Sequence, residues 1–279
     1  MNSKFWLGGI SLALLVGVGL AAWRAVRPRS LPPQGRYSVT RTASKDIWYP
    51  AIVGDTVRHP LIFLVPAMGR APADYTTIAT DLASLGNVVA GITPSATGPI
   101  DLEHREQAQP LVEIWIGDLQ RDLNQLFKDP ELRDKIAWDR VAAVGHSFGG
   151  AVAIQALVID PRLRAAVNLD GAPQGKPVTG LRRPALFILG APLPPAQKAL
   201  NDRILGEIQA TCNSSGENCR IIDHPEAGHM NFSDSGLNPA PVQFFRKRQD
   251  LGDLDGAVFL RQVVGEIQHF LEESRRRAP

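Results

Sequence analysis

Residues 145–150 read Gly-His-Ser-Phe-Gly-Gly and follow the apolar run Val141-Ala142-Ala143-Val144. A serine with glycines two positions to either side, between a strand-like and a helix-like run, fits the pattern of a nucleophile elbow. So tight a turn crowds the backbone, and Gly145 and Gly149 remove the side chains that would clash. A helix starting after Ser147 aims its first amides and the positive end of its dipole at a developing oxyanion. The competing reading is a phosphate-binding glycine loop, which needs a Lys-Ser/Thr pair that this stretch lacks. Ser147 is therefore expected to be a nucleophile.

A serine hydroxyl needs a base, and the base needs an orienting acid; in hydrolases with this elbow the chain order is Ser, then Asp or Glu, then His. The downstream histidines are His224, His229 and His269. His269 falls inside an amphipathic helical pattern remote from any strand end. His224 abuts a strand and is fixed locally by Pro225, whereas His229 lies deeper in the loop after flexible Gly228, so His229 is the expected base. The acid is sought at a strand end. The run Phe187-Ile188-Leu189-Gly190 ends with no carboxylate, but one strand earlier Asp170 closes Ala165–Leu169, 23 residues after Ser147. That distance accommodates one helix and one strand, and Asp170 is the expected acid, with Asp202 and Asp223 as alternatives. The second oxyanion donor should come from the loop Leu64-Val65-Pro66-Ala67-Met68-Gly69, which points to the backbone amides of Met68 and Phe148.

Short apolar runs suited to strands buried on both faces occur at 46–53, 61–65, 88–92, 141–144, 165–169, 185–189 and 220–223. Helical patterns lie between them at 73–86, 111–127, 150–159, 196–210 and 257–273. Alternating strands and helices imply right-handed crossovers, hence a three-layer α/β/α domain around a mostly parallel sheet. The 279 residues divide into an N-terminal segment at 1–26, a proline-rich basic linker at 27–36 and one domain at 37–279. Arg275–Arg277 is read as a solvated tail.

The N-terminal run from Phe5 to Trp23 is uncharged, and as a helix it would be about 28 Å long, close to a bilayer's hydrocarbon core. It is expected to be a membrane anchor or a cleaved signal peptide. Arg24, Arg27 and Arg29 after it favour a cytoplasmic body by the positive-inside rule. Cys212 and Cys219 point the other way. They bracket Asn-Ser-Ser-Gly-Glu-Asn, read as a polar turn-forming loop across which a disulfide is easily closed, and disulfides persist outside the cytoplasm. An extracytoplasmic domain, membrane-anchored or secreted, is the expectation. With 30 basic and 28 acidic residues scattered along the chain, a nucleic-acid partner is not expected.

The stretches Gly-His-Ser-Phe-Gly-Gly (145–150), Asn-Leu-Asp-Gly (168–171), Gly-His-Met-Asn-Phe-Ser-Asp (228–234) and the late segment 251–273 resemble the platelet-activating-factor acetylhydrolase-like α/β-hydrolases, which include bacterial lipases and esterases. The resemblance in order and spacing covers most of 55–273, and it implies a Ser147–Asp170–His229 triad, the set that spacing alone reached. This chain departs from the family at the oxyanion loop, where Pro66-Ala67 stands in place of a His-Gly pair. A β-carbon at Ala67 narrows the permitted backbone angles there.

The expected activity is a serine carboxylic-ester hydrolase acting through an acyl-enzyme on a small or phospholipid-like ester, with no metal or organic cofactor required. The alternatives are an acyltransferase or thioesterase using the same residues, or a membrane-tethered binding protein on a decayed hydrolase fold. Oligomeric state is not legible.

Overall fold

The computed structural model describes residues 31–42, 46–51, 57–238 and 251–277. The N-terminal run read as an anchor or signal lies outside the described residues. Among those described, no helix is long and apolar enough to cross a membrane.

Eight strands form one sheet: β1 (Val39–Arg41), β2 (Ile47–Pro50), β3 (His59–Val65), β4 (Val88–Gly91), β5 (Ile136–His146), β6 (Leu163–Leu169), β7 (Ala185–Leu189) and β8 (Cys219–Asp223). Their spatial order is β1-β2-β4-β3-β5-β6-β7-β8. Strands β3 to β8 run parallel, and β1 and β2 add an antiparallel edge. Among the described residues, five helices pack on the sheet: α1 (Thr76–Ser84), α2 (Gln109–Lys128), α3 (Phe148–Ile159), α4 (Lys198–Ser215) and α5 (Gly256–Arg277).

The alternation of side chains along β3 divides the core in two. Leu61, Phe63 and Val65 face α2, α3 and α4, whereas Ile62 and Leu64 face α1 and α5. This is the expected three-layer arrangement. Helix α5 shows why the last segment is helical: Phe259, Leu260, Val263, Val264, Ile267, Phe270 and Leu271 recur at three- and four-residue spacing and are all buried. Helix α3 has no polar face to spare, since Phe148 to Leu157 are buried without a break. From β3 the chain passes to β4 on one side and later to β5 on the other, so the loops after β3 and β5 flank the crevice where the strand order reverses.

Several boundaries differ from the sequence reading. Strand β5 begins at Ile136, five residues before the apolar run, because Trp138-Asp139-Arg140 bulge out of register between Ala137 and Val141. Helix α3 starts at Phe148, directly after the serine. Helix α4 continues to Ser215, so Cys212 sits on a helix and not at the edge of a loop; only the short turn Gly216–Asn218 separates it from Cys219 at the start of β8. The two cysteines form a disulfide with Cα atoms 4.8 Å apart. Arg275–Arg277 is no tail but the last turn of α5, and Arg275 Nη2 donates to Asn87 Oδ1 at 2.9 Å. Burial lowers the Arg275 guanidinium to about 10.

Residues 34–37 bond to the C-terminal half of α1. Gln34 N–H donates to Asp81 Oδ1 at 2.9 Å, Gly35 N–H to Ser84 Oγ at 2.8 Å, and Tyr37 N–H to Ser84 O at 3.1 Å.

Candidate active site

Ser147 links β5 to α3 with φ 56° and ψ −124°, a conformation that L-residues rarely adopt. Its amide is held by Leu169 O at 2.8 Å, which ties the turn to the neighbouring strand. The glycines around it answer to close packing. A Cβ on Gly145 would lie 2.0 Å from Gly149 O, and one on Gly149 would lie 2.4 Å from both Pro66 O and Val65 O. Phe148 points into the core and meets Trp115 edge to face, with centroids 4.9 Å apart. Its amide is the first of α3 and so has no acceptor within the helix.

Asp170 follows the last residue of β6. It and Ser147 are the non-glycine residues with positive φ among those described, Asp170 at 52°. Such strain persists only where surroundings enforce it, and it concentrates at functional sites. Here the surroundings are the end of β7. Asp170 N–H donates to Ile188 O at 2.7 Å, and Gly190 N–H donates to Asp170 Oδ1 at 2.7 Å. The other carboxylate oxygen, Oδ2, accepts from His229 Nδ1 at 2.6 Å. With the Nδ1 proton committed to the carboxylate, the lone pair of a neutral His229 lies on Nε2.

His229 opens a 3₁₀ turn after β8, and that loop is pinned by the residues around it. Asn231 Oδ1 accepts from Gly228 N–H at 2.9 Å and from Gly252 N–H at 2.7 Å. Ser233 Oγ donates to Met230 O at 2.9 Å. The Asp234 carboxylate accepts from Thr77 N–H in the first turn of α1, at 3.2 and 3.3 Å, and burial pushes its carboxyl up to about 6. No hydrogen bond joins Ser147 Oγ to His229 among the described residues; what couples the two loops is His146. That buried ring lies 4.7 Å from the His229 ring, and its Nε2 donates to His229 O at 2.9 Å.

The alternatives weighed from sequence sit elsewhere. His224 is buried, with Nε2 held by Glu266 at 3.0 and 3.1 Å, and His269 is 69% exposed on α5. Asp202 pairs with Lys198 on the surface of α4, and Asp223 is exposed at the end of β8.

In the loop after β3, Ala67 is buried and Met68 half-buried. Arg70 N–H donates to Ala67 O at 3.0 Å, closing a turn over 67–70 with Gly69 at φ 71°. In a trans peptide the N–H opposes the C=O, so the Met68 N–H points away from that turn. Ala67 N–H is taken by the hydroxyl of Tyr75 at 3.0 Å. The places of Tyr75, His146 and Gly190 beside the expected triad were not legible, since each bonds to a partner distant in the chain. Asn231 and Asp234 carried a signal only within the motif at 228–234.

The chain is similar to several known proteins. Platelet-activating factor acetylhydrolase of Canis lupus familiaris is 30% identical, over 40% of this chain and 35% of that protein. A probable 1-alkyl-2-acetylglycerophosphocholine esterase of Arthroderma benhamiae is 26% identical, over 46% of this chain and 35% of the other. The chain spans about a third of the length of these curated relatives. A solved ferulic acid esterase from Streptomyces cinnamoneus superposes with a TM-score of 0.64, covering 89% of this chain and 92% of that one at 21% identity, a likeness of fold. The family model described as platelet-activating factor acetylhydrolase, isoform II, matches residues 101–273, a span that contains Ser147, Asp170 and His229 and leaves the loop at 66–70 outside. Matched over more than half its length, the chain belongs to the platelet-activating factor acetylhydrolase isoform II family.

Proposed function

We propose that the domain is a serine carboxylic-ester hydrolase, with Ser147 as nucleophile, His229 as general base and acid, and Asp170 as the acid that orients His229. The observation that carries this reading is the 2.6 Å bond from His229 Nδ1 to Asp170 Oδ2, made at the strand edge where Ser147 and Asp170 both hold strained backbones. Ser147 Oγ attacks the ester carbonyl while His229 Nε2 takes its proton. The oxyanion faces the Met68 and Phe148 amides. Collapse breaks the acyl–oxygen bond, and the leaving alkoxide takes the proton from His229. Water then attacks the acyl-enzyme, giving one proton to His229, and the acid departs as Ser147 regains that proton. A Ser–His contact is often long until substrate is seated.

The names of the relatives, acetylhydrolase and acetylglycerophosphocholine esterase, make a short acyl chain on a glycerophospholipid the first substrate to try. The Cys212–Cys219 disulfide supports an extracytoplasmic site of action. Labelling with a fluorophosphonate probe tests the chemistry. Wild type should label and Ser147→Ala should not; equal labelling of the two removes Ser147 from the role. Turnover of p-nitrophenyl esters of increasing chain length should be greatest for acetyl and decline with length.

A further inference from the structure

Three loops must keep a common register if the proposed reaction is to run: the one after β3, the one after β5 and the one after β8. One buried chain of hydrogen bonds crosses all three. Ala67 N–H donates to Tyr75 Oη at 3.0 Å, and Tyr75 Oη lies 2.8 Å from His146 Nδ1. His146 Nε2 lies 2.9 Å from His229 O. A carbonyl can only accept, so Nε2 carries the ring proton. Burial holds His146 neutral by lowering its pKa, which leaves Nδ1 bare to accept from the Tyr75 hydroxyl. Every polar atom in the chain therefore has a partner and each bond has a set direction. Tyr75 and His146 are both fully buried, and the two rings meet edge to face with centroids 5.7 Å apart.

From this geometry we infer that Tyr75 is a positioning residue for ester hydrolysis, its hydroxyl holding the Ala67–Met68 loop in register with the Ser147 turn and, through His146, with the His229 loop. The inference rests on the functional reading above. It gives Pro66-Ala67 a structural account: the loop needs no further side chain of its own, because its backbone N–H is held by a tyrosine eight residues on. The turn bond from Arg70 N–H to Ala67 O then fixes the facing of the Met68 amide. Tyr75 is fully buried, so it has no surface to offer a substrate, and its hydroxyl bonds to Ala67 and His146. It acts on the transition state through Met68, so its loss should be felt in kcat more than in KM.

The test uses the full chain and p-nitrophenyl acetate. Tyr75→Phe keeps the buried ring and removes the hydroxyl; kcat should fall about 10- to 100-fold, the scale of weakening one oxyanion donor, with KM changed less than threefold. His146→Leu should fall similarly, and His146→Gln, which retains an acceptor and a donor, should recover most of the loss. Hydrogen exchange gives a readout independent of turnover. The Ala67 amide should exchange at least tenfold faster in Tyr75→Phe, and nitrogen NMR of wild type should show His146 neutral with its proton on Nε2. If wild type fails to hydrolyse the ester, the esterase reading is lost while exchange and tautomer still judge the network. If kcat in Tyr75→Phe stays within twofold of wild type, or Ala67 exchange is unchanged, the inference is overturned.

Discussion

Gly190 and Asp170 sit at the ends of adjacent strands, and the Gly190 amide donates to Asp170 Oδ1 at 2.7 Å, leaving Oδ2 for His229. The strand end that carries no carboxylate thus supplies the hydrogen bond that orients the carboxylate one strand earlier. In Asp170→Asn, the amide oxygen would stay with Gly190 and the NH₂ would face His229 Nδ1, forcing the proton onto Nε2. Turnover of p-nitrophenyl acetate should fall about ten-thousandfold. A loss below tenfold would pass the role of acid to another group.

Gly190→Ala probes the same relationship from the other side. A Cβ there would lie 2.7 Å from Ala227 O and 3.2 Å from Asp170 Oδ1. Overpacking of this kind costs about 1–3 kcal/mol, and the displaced carboxylate should reduce kcat about tenfold or more. Urea unfolding and steady-state kinetics on one sample measure both effects, and normal kinetics would separate Gly190 from the orientation of Asp170.

The three expected catalytic side chains could be named from spacing because elbow, acid and base lie at strand ends, and β3, β6, β7 and β8 announce themselves as apolar runs. What surrounds those side chains was hidden for a physical reason. His146 bonds to Tyr75 and to the His229 backbone across 71 and 83 residues of chain, and such contacts leave no local pattern. The end of α4 misled for the opposite reason. Asn213, Ser214 and Ser215 read as part of a turn, but tertiary bonds keep them helical: Ser214 Oγ accepts from Gly180 N–H at 3.0 Å, and Ser215 Oγ accepts from Leu181 N–H at 2.8 Å. Likewise β5 outran its apolar stretch because the bulge at 138–140 interrupts the pattern without ending the strand.

Removing the disulfide with Cys212→Ser/Cys219→Ser should lower unfolding free energy by about 2.5 kcal/mol on the loop-entropy model. The bond joins the end of α4 to the start of β8, at the opposite end of that strand from the His229 loop. Ester turnover at 25 °C should therefore stay within twofold of wild type, while the urea midpoint drops. An unshifted midpoint would mean that the bridge contributes nothing to stability.

Asp234 predicts a pH dependence. Its folded pKa, pushed up by burial to about 6, exceeds the value of about 3.9 in an unfolded chain. Between those values the folded state binds more protons, so stability from this group falls as pH rises from about 4 to about 6 and is level beyond. Asp234→Asn can still accept from Thr77 N–H but does not ionise. Its stability relative to wild type should grow by about 1–3 kcal/mol between pH 4.5 and pH 7, read from melting curves across that range. Parallel curves for the two proteins would contradict the assignment.

The bonds of residues 34–37 to the C-terminal half of α1 have a mechanical consequence. Helix α1 runs back from the Ser147 edge of the sheet, so the chain enters the domain at the far edge. A load applied at residues 31–33 would reach the domain first through Gln34–Asp81 and Gly35–Ser84, at the end of α1 away from Ser147, leaving the reacting loops outside its path.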